Sequence, residues 1–233
     1  MVRTLLVAAI ALAMTACAAP APKTPHGLPA GLGGIVTPAP EGTCTLSDRN
    51  PVDLQALILQ RQLNAGSNHV LSMFADCGEL QAARAGNGEL FDIGTYLAPM
   101  IGSRPLAGPR AEILAALAGE FDRNGQAAMD SATGDVQRRA DRAAMGVEIG
   151  EAESLGLLRH DDEALYTGLV QGISTDTGDT VVLATVIALT VIDGWIVSIN
   201  TGDFYDGPGT VDTLLADQRR NVRRLLAANP AVY

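Results

Sequence analysis

Val181-Val182-Leu183-Ala184-Thr185-Val186-Ile187-Ala188-Leu189-Thr190-Val191-Ile192 is an almost unbroken apolar run that stops at Asp193-Gly194 and resumes as Trp195-Ile196-Val197-Ser198-Ile199-Asn200. β-Branched side chains suit a pleated strand, and Asp-Gly suits the tight two-residue turn of a hairpin. The stretch therefore predicts a buried strand that turns directly into a second one. It is too short, and too soon followed by turn residues, to cross a bilayer as a helix.

Working outward, Leu155 to Arg159 reads as a short strand and His160-Asp161-Asp162-Glu163 as a turn. Ala164 to Ser174 reads as another strand, and Thr175-Asp176-Thr177-Gly178-Asp179 as the turn into the central run, which together make an antiparallel meander. Gly168 and Gly172 share one strand face, which predicts the close approach of another element, most simply a helix. A suitable helix follows: Thr210, Val211, Leu214, Leu215, Val222, Leu225 and Leu226 form a stripe at helical spacing. Its acids, Asp212 and Asp217, come early and Arg219, Arg220, Arg223 and Arg224 come late, in keeping with the helix dipole. That arginine face is the candidate surface for a partner.

The N-terminal half alternates. Asn50-Pro51-Val52-Asp53 is a helix start, with Asn as cap and Pro at the first helical position, and Gly66 is its expected end. His69 to Ala75 reads as a strand running into Asp76-Cys77-Gly78-Glu79, a second cap with Glu at the third helical position. Leu90 to Leu97 is an irregular extended segment stopped by Pro99. Pro109 opens a helix that Asn124-Gly125 should close, and residues 126–146 read as a separate, exposed and weakly packed helix. The sum is an α+β fold: a mostly antiparallel sheet with a C-terminal β-meander, flanked by amphipathic helices.

The chain has 233 residues, of which 47% are hydrophobic and only 4% aromatic, so one medium domain has its core built from Leu, Val, Ile and Ala. A formal net charge of −10 argues against nucleic acid, because nothing would neutralise a run of phosphates. Lys23 is the only lysine. A preference for Arg suits carboxylate and phosphate recognition, but a genome-wide codon bias accounts for it more simply.

Met1-Val2-Arg3, the apolar Leu5 to Ala13 and the small Thr15-Ala16 before Cys17 describe an export signal rather than a membrane span. Met14-Thr15-Ala16-Cys17 resembles the lipobox of bacterial lipoproteins, with Met14 where Leu is usual. The resemblance implies cleavage before Cys17, lipidation of Cys17 with palmitate among the acyl groups, and, with Ala18 rather than Asp next, an outer-membrane lipoprotein facing the periplasm. Ordinary cleavage a few residues on would instead give a soluble periplasmic or secreted protein. The expected organisation is a signal at 1–16, an Ala/Pro/Gly-rich tether at 17–42 and one domain at 43–233.

Export makes a disulfide the default state of the other two cysteines, Cys44 and Cys77. Such a bridge closes a loop of about thirty residues and contributes on the order of 3–4 kcal/mol. It excludes one topology. A strand begun at Cys44 and parallel to residues 69–75 would hold the sulfurs about 20 Å apart at the rise of a strand, so the two segments run antiparallel or Cys44 lies in an incoming loop. A redox-active thiol at Cys77, at a helix start that favours the thiolate, is the functional alternative.

Enzyme chemistry has one nameable residue. Asp176-Thr177-Gly178, in the context Asp179-Thr180-Val181-Val182-Leu183, resembles the active-site loop of retropepsin-like aspartic proteases. That family needs two carboxylates sharing a proton; here the motif occurs once, and Ser174-Thr175 stands where an apolar pair precedes the family's Asp. His26, His69 and His160 are dispersed, with no metal-ligand spacing, and neither a phosphate loop after a strand nor a nucleophile elbow occurs. No cofactor is implied. The meander followed by a long helix resembles the layout of PsbP-like extracytoplasmic domains. Phe74-Ala75-Asp76-Cys77 with Leu80 and Tyr96-Leu97-Ala98-Pro99 is similar to uncharacterised envelope proteins of Gram-negative bacteria, a resemblance that implies no activity. The function expected from the chain is that of a non-enzymatic envelope lipoprotein binding a partner protein or small ligand. The alternatives are a hydrolase using Asp176 and a thiol protein using Cys77.

Overall fold

A computed structural model describes residues 28–29, 31–88, 90–100, 105–142, 147–175 and 180–230. In chain order they form strand β1 (Thr43–Thr45), helix α1 (Pro51–Leu63), β2 (Asn68–Asp76), α2 (Cys77–Arg84), β3 (Ile93–Pro99), α3 (Arg110–Arg142), β4 (Val147–His160), β5 (Leu165–Thr175), β6 (Thr180–Ile192), β7 (Trp195–Phe204) and α4 (Pro208–Ala228), with a 3-10 turn at Leu32–Gly34. The strands make a single seven-stranded sheet in the order β1-β2-β3-β7-β6-β5-β4, every neighbouring pair antiparallel. Among the described residues no helix is long and apolar enough to cross a membrane.

The apolar run is β6, an interior strand between β7 and β5. Its hairpin is as expected: Ile192 pairs with Trp195, and Asp193 and Gly194 both take positive φ, at 48° and 80°. Because strand side chains alternate, β6 serves two layers. Ile187, Leu189 and Val191 face Ile113, Leu114, Ala118 and Phe121 of α3. Ala184, Val186, Ala188 and Ile192 face the other way, toward Val211, Leu214, Val222 and Leu225 of α4. Helices α1 and α2 share the α3 face, where Leu57 and Leu80 pack with Met73 and Ala75. Gln218 of α4 is fully buried, and its Nε2 donates to Val186 O and Ile199 O at 2.8 Å each. The helix is thereby fixed over the β6–β7 seam.

Four sequence expectations change. First, α3 is one continuous helix of 33 residues rather than two, and Gly125 lies inside it against the Phe121 ring. Its second half is not weakly packed, since Ala132, Val136 and Ala140, spaced four apart, are buried, the latter two against Leu63, Ile149, Ile173 and Leu183. A stripe of such small residues is a weak pattern in sequence yet packs closely on a sheet. Second, β4 spans fourteen residues rather than five. Register shifts at Ile149/Ala152, Ser154/Gly156 and Leu157/Arg159 interrupt its pairing with β5, and each bulge breaks the two-residue alternation by which a strand is recognised. Bulges and the exposed Glu148, Glu151 and Glu153 also blunt this open edge against further strand pairing. Third, the space over Gly168 is filled by Leu155 and Leu158 of β4 rather than directly by a helix. Those leucines then contact the α4 side.

Fourth, the stretch Gly31–Gly42, part of the expected tether, is packed against the domain. Leu32 is 1% exposed and joins Ala98 and Trp195, while Ile35 and Ala39 lie on Phe74, Tyr96 and Ile199. Tyr96 Oη donates to Pro38 O at 2.7 Å and Ser72 Oγ to Thr37 Oγ1 at 2.8 Å. The Asn229 side chain accepts from Val36 N at 2.8 Å and donates to Val36 O at 2.7 Å. The physical reason is coverage. Helix α4 packs on β6 and β7, and this extended strap covers the neighbouring face of β2 and β3 that would otherwise meet water.

Candidate functional site

Of the residues singled out in the sequence, Cys17 and Asp176 lie outside the described residues. Cys44 and Cys77 are joined: their Cα atoms are 5.0 Å apart in a disulfide. Antiparallel pairing of β1 with β2 places Cys44 opposite Ala75, two positions before Cys77, so of the two topologies left open the antiparallel one holds. Cys77 is the first residue of α2, and in this state its sulfur is a bridge, not a thiolate.

The arginine face of α4 is only partly available. Arg220 pairs with Asp217 on its own helix, and Arg224 Nη2 reaches Glu41 of the strap at 2.6 Å. Arg223 is exposed and Arg219 half-buried, and neither makes an ion pair among the described residues. His69 is half-buried in β2, and burial lowers its imidazole pKa. His160 ends β4. The adjacent Asp161 turns inward to cap the turn, accepting from Glu163 N and Ala164 N at 3.1 and 3.0 Å. Among the described residues no three His, Cys, Asp or Glu side chains are placed to hold a metal. An open groove of about 640 Å³ runs between the middle of α3 and β4, lined in part by Phe121, Asn124, Asp130, Ser154 and Leu157. Of these Asp130, Asn124 and Ser154 are polar, but Asp130 accepts from Gln126, Asn124 donates to Glu120 and Ser154 accepts from Gly156 N, so each is engaged locally.

A second constellation, not visible in the sequence, lies where β2 and β7 end and β3 begins. Phe91 and Phe204 are 113 positions apart, yet their ring centroids are 5.9 Å apart and tilted at 49°, with 36% and 45% of each residue exposed. Exposed aromatic pairs are unusual in a chain with so few aromatic residues, whose other phenylalanines, Phe74 and Phe121, are buried. Four carboxylates lie at the same end of the sheet, with Asp203 and Phe204 on opposite faces of β7. Asp76 caps α2, accepting from Gly78 N and Glu79 N at 2.8 and 2.9 Å. Glu79 Oε2 accepts from Phe91 N and Asp92 N at 2.9 and 3.0 Å, and Asp92 O accepts from Asp76 N at 3.2 Å. Asp203 precedes Phe204. Partial burial, then the charges of Glu79, Asp203 and Asp76, raise the Asp92 carboxyl above its ordinary range. No Arg or Lys pairs with any of the four among the described residues.

The disulfide supports this end directly. It ties β1 to the first residue of α2, the helix whose Asp76 cap and Glu79 hold the Phe91-Asp92 backbone. The sequence signal for the site was present only as fragments: a cap box at Asp76-Glu79 and a Phe before each of two chain turns. What joins them is the β3–β7 pairing, which no local pattern announces. No known protein family matches the chain. No curated protein matches it either.

Proposed function

We propose that this chain is a non-enzymatic envelope lipoprotein, anchored through Cys17 to the outer membrane and facing the periplasm, whose domain binds a partner protein or small ligand. The observation that carries the reading is Met14-Thr15-Ala16-Cys17 at the end of an export signal, upstream of a folded domain. The Cys44–Cys77 bridge supports it, since structural disulfides belong to oxidising compartments. The test is the intact mass of the chain recovered from membranes, with and without reduction. A diacylglyceryl-modified chain beginning at Cys17 that gains a pair of hydrogens on reduction is expected. An unmodified chain beginning further on would instead make the protein soluble, periplasmic or secreted.

The hydrolase alternative rests on Asp176 alone, and Asp176→Ala separates it: a binding protein keeps its partner, an aspartic protease loses all activity. Within the binding reading, the α4 face with Arg219, Arg220, Arg223 and Arg224 is the first assignment for the partner surface. Arg220→Glu with Arg223→Glu would then abolish capture without unfolding, because both side chains are exposed.

A further inference from the structure

The sheet has two functionally different ends. The strap enters at one of them, where a Cβ on Gly31 would lie 2.9 Å from the Trp195 indole nitrogen, beside the β6–β7 hairpin. β7 then runs nine residue steps to Phe204, about 30 Å at the rise of a strand. The Phe91–Phe204 pair and its carboxylates therefore occupy the end away from the point where the chain leads back to Cys17. On a protein attached through its N-terminus, that is the end presented outward.

We propose that this distal end is the docking surface for a protein segment that carries Arg or Lys beside an apolar or aromatic side chain, an inference that rests on the partner-binding reading above. Three features select that chemistry. The tilted aromatic pair offers apolar area and ring faces, which attract cations as well as hydrocarbon. Asp76, Glu79, Asp92 and Asp203 lie at the same end of the sheet without an ion-pair partner among the described residues, so an incoming guanidinium or ammonium group meets unneutralised charge. The surface is also held ready: Glu79 pins the Phe91-Asp92 backbone, Asp76 caps the helix bearing Glu79, and the disulfide fixes the start of that helix. A rigid surface loses little entropy when a partner arrives. Acidic partners, and nucleic acid, are repelled from this end.

The test uses the full chain in detergent and two fluorescent synthetic peptides read by anisotropy, one alternating Arg with Trp and Leu, the other with Glu in place of each Arg. The Arg peptide is expected to bind and the Glu peptide not to. Phe91→Ser with Phe204→Ser, and separately Asp92→Asn with Asp203→Asn, are each expected to weaken Arg-peptide binding at least tenfold, the scale on which interface anchors act. Asp162→Asn with Glu163→Gln removes the same charge from the β4–β5 turn at the opposite end of the sheet and is expected to leave binding within twofold. All these side chains are exposed, so circular dichroism should show unchanged folding. Equal weakening by the control pair would overturn the proposal, because bulk charge alone would then be the attraction. Failure of the Arg peptide to bind would overturn it as well. Binding of the Glu peptide that depends on Arg220 and Arg223 would overturn the distal surface while leaving the partner-binding reading intact, and lipidation is read independently by mass.

Discussion

Replacing both bridged cysteines, Cys44→Ala with Cys77→Ala, removes a cross-link that spans 33 positions. In the chain-entropy treatment, a loop of that size restricts the unfolded chain by about 12–13 cal/mol/K, or about 3.8 kcal/mol at room temperature. The lost sulfur packing is small, as both residues are only half-buried. A domain of about two hundred residues shifts its melting temperature by roughly 2–4 °C per kcal/mol, so a drop of about 8–15 °C is expected. The assay is thermal and urea unfolding followed by circular dichroism, with the double variant compared with the oxidised and the reduced wild-type chain. Reduced wild type and double variant should superimpose, since both lack the constraint. A midpoint shift equivalent to less than about 1 kcal/mol would refute the reasoning: it would mean that the unfolded chain already keeps β1 and α2 together, so that the bond restricts nothing. Opening should also begin locally. Strand β1 has three residues and pairs only with β2, so hydrogen exchange at residues 43–45 and at the start of α2 should accelerate before the central strands change.

Asp53 is fully buried, with Arg84 Nε and Nη2 donating to it at 2.9 and 2.5 Å and Ser47 N at 2.7 Å. Burial alone would raise its pKa, but the Arg84 hydrogen bonds, the Ser47 amide and the Arg84 charge together hold it below the ordinary carboxylate range. A depressed folded-state pKa means that the stabilisation is complete above the unfolded pKa of about 3.9 and is lost as pH falls through the folded value. Asp53→Asn is therefore expected to cost about 3 kcal/mol near neutral pH, the low end for a broken ion pair because Arg84 can rehydrate. The gap from wild type should close in acid; urea midpoints that stay parallel from pH 7 to pH 3 would refute it. In the strap, Leu32→Ala should cost about 2–3 kcal/mol if the segment stays docked, and less if it detaches first. Either way protease cleavage at residues 31–40 should quicken, and an unchanged cleavage rate would contradict the packing of Leu32 against Trp195.

How much of this was legible beforehand depended on the range of the forces involved. The β6–β7 hairpin, the Asn50 and Asp76 caps and the α4 stripe are local, written in residues a few positions apart, and the structure keeps each of them. The Asn50 carboxamide accepts from Val52 N and Asp53 N, as its place before Pro51 foretold. The sequence alone shortens β4 because its bulges scramble alternation, and divides α3 because Asn124-Gly125 suggests a stop that tertiary packing overrides. In sequence the strap reads as free chain because Ala, Pro and Gly carry little apolar surface. Its few anchors, Leu32 and the Pro38 carbonyl, have meaning only beside Trp195 and Tyr96. The candidate site was the least legible part. The arginines of α4 stand out as a cluster of one residue type, whereas Phe91 and Phe204 become a pair only through the order of strands in the sheet.

If Cys17 carries the proposed lipid anchor, the docked strap also sets how far the domain can travel. From Cys17 to the expected domain start at residue 43 lie twenty-five residues, a contour of about 85 Å; with the chain held from Gly31 onward, thirteen remain, or about 45 Å. For a lipid-anchored chain the accessible hemisphere shrinks by the cube of that ratio, about sevenfold in volume. A partner embedded in the same membrane would meet the domain at correspondingly higher local concentration, and one beyond the shorter leash would not be met at all. On the proposed lipid anchor, releasing the strap, for example by Leu32→Ala, would lengthen the leash and leave the attachment itself intact.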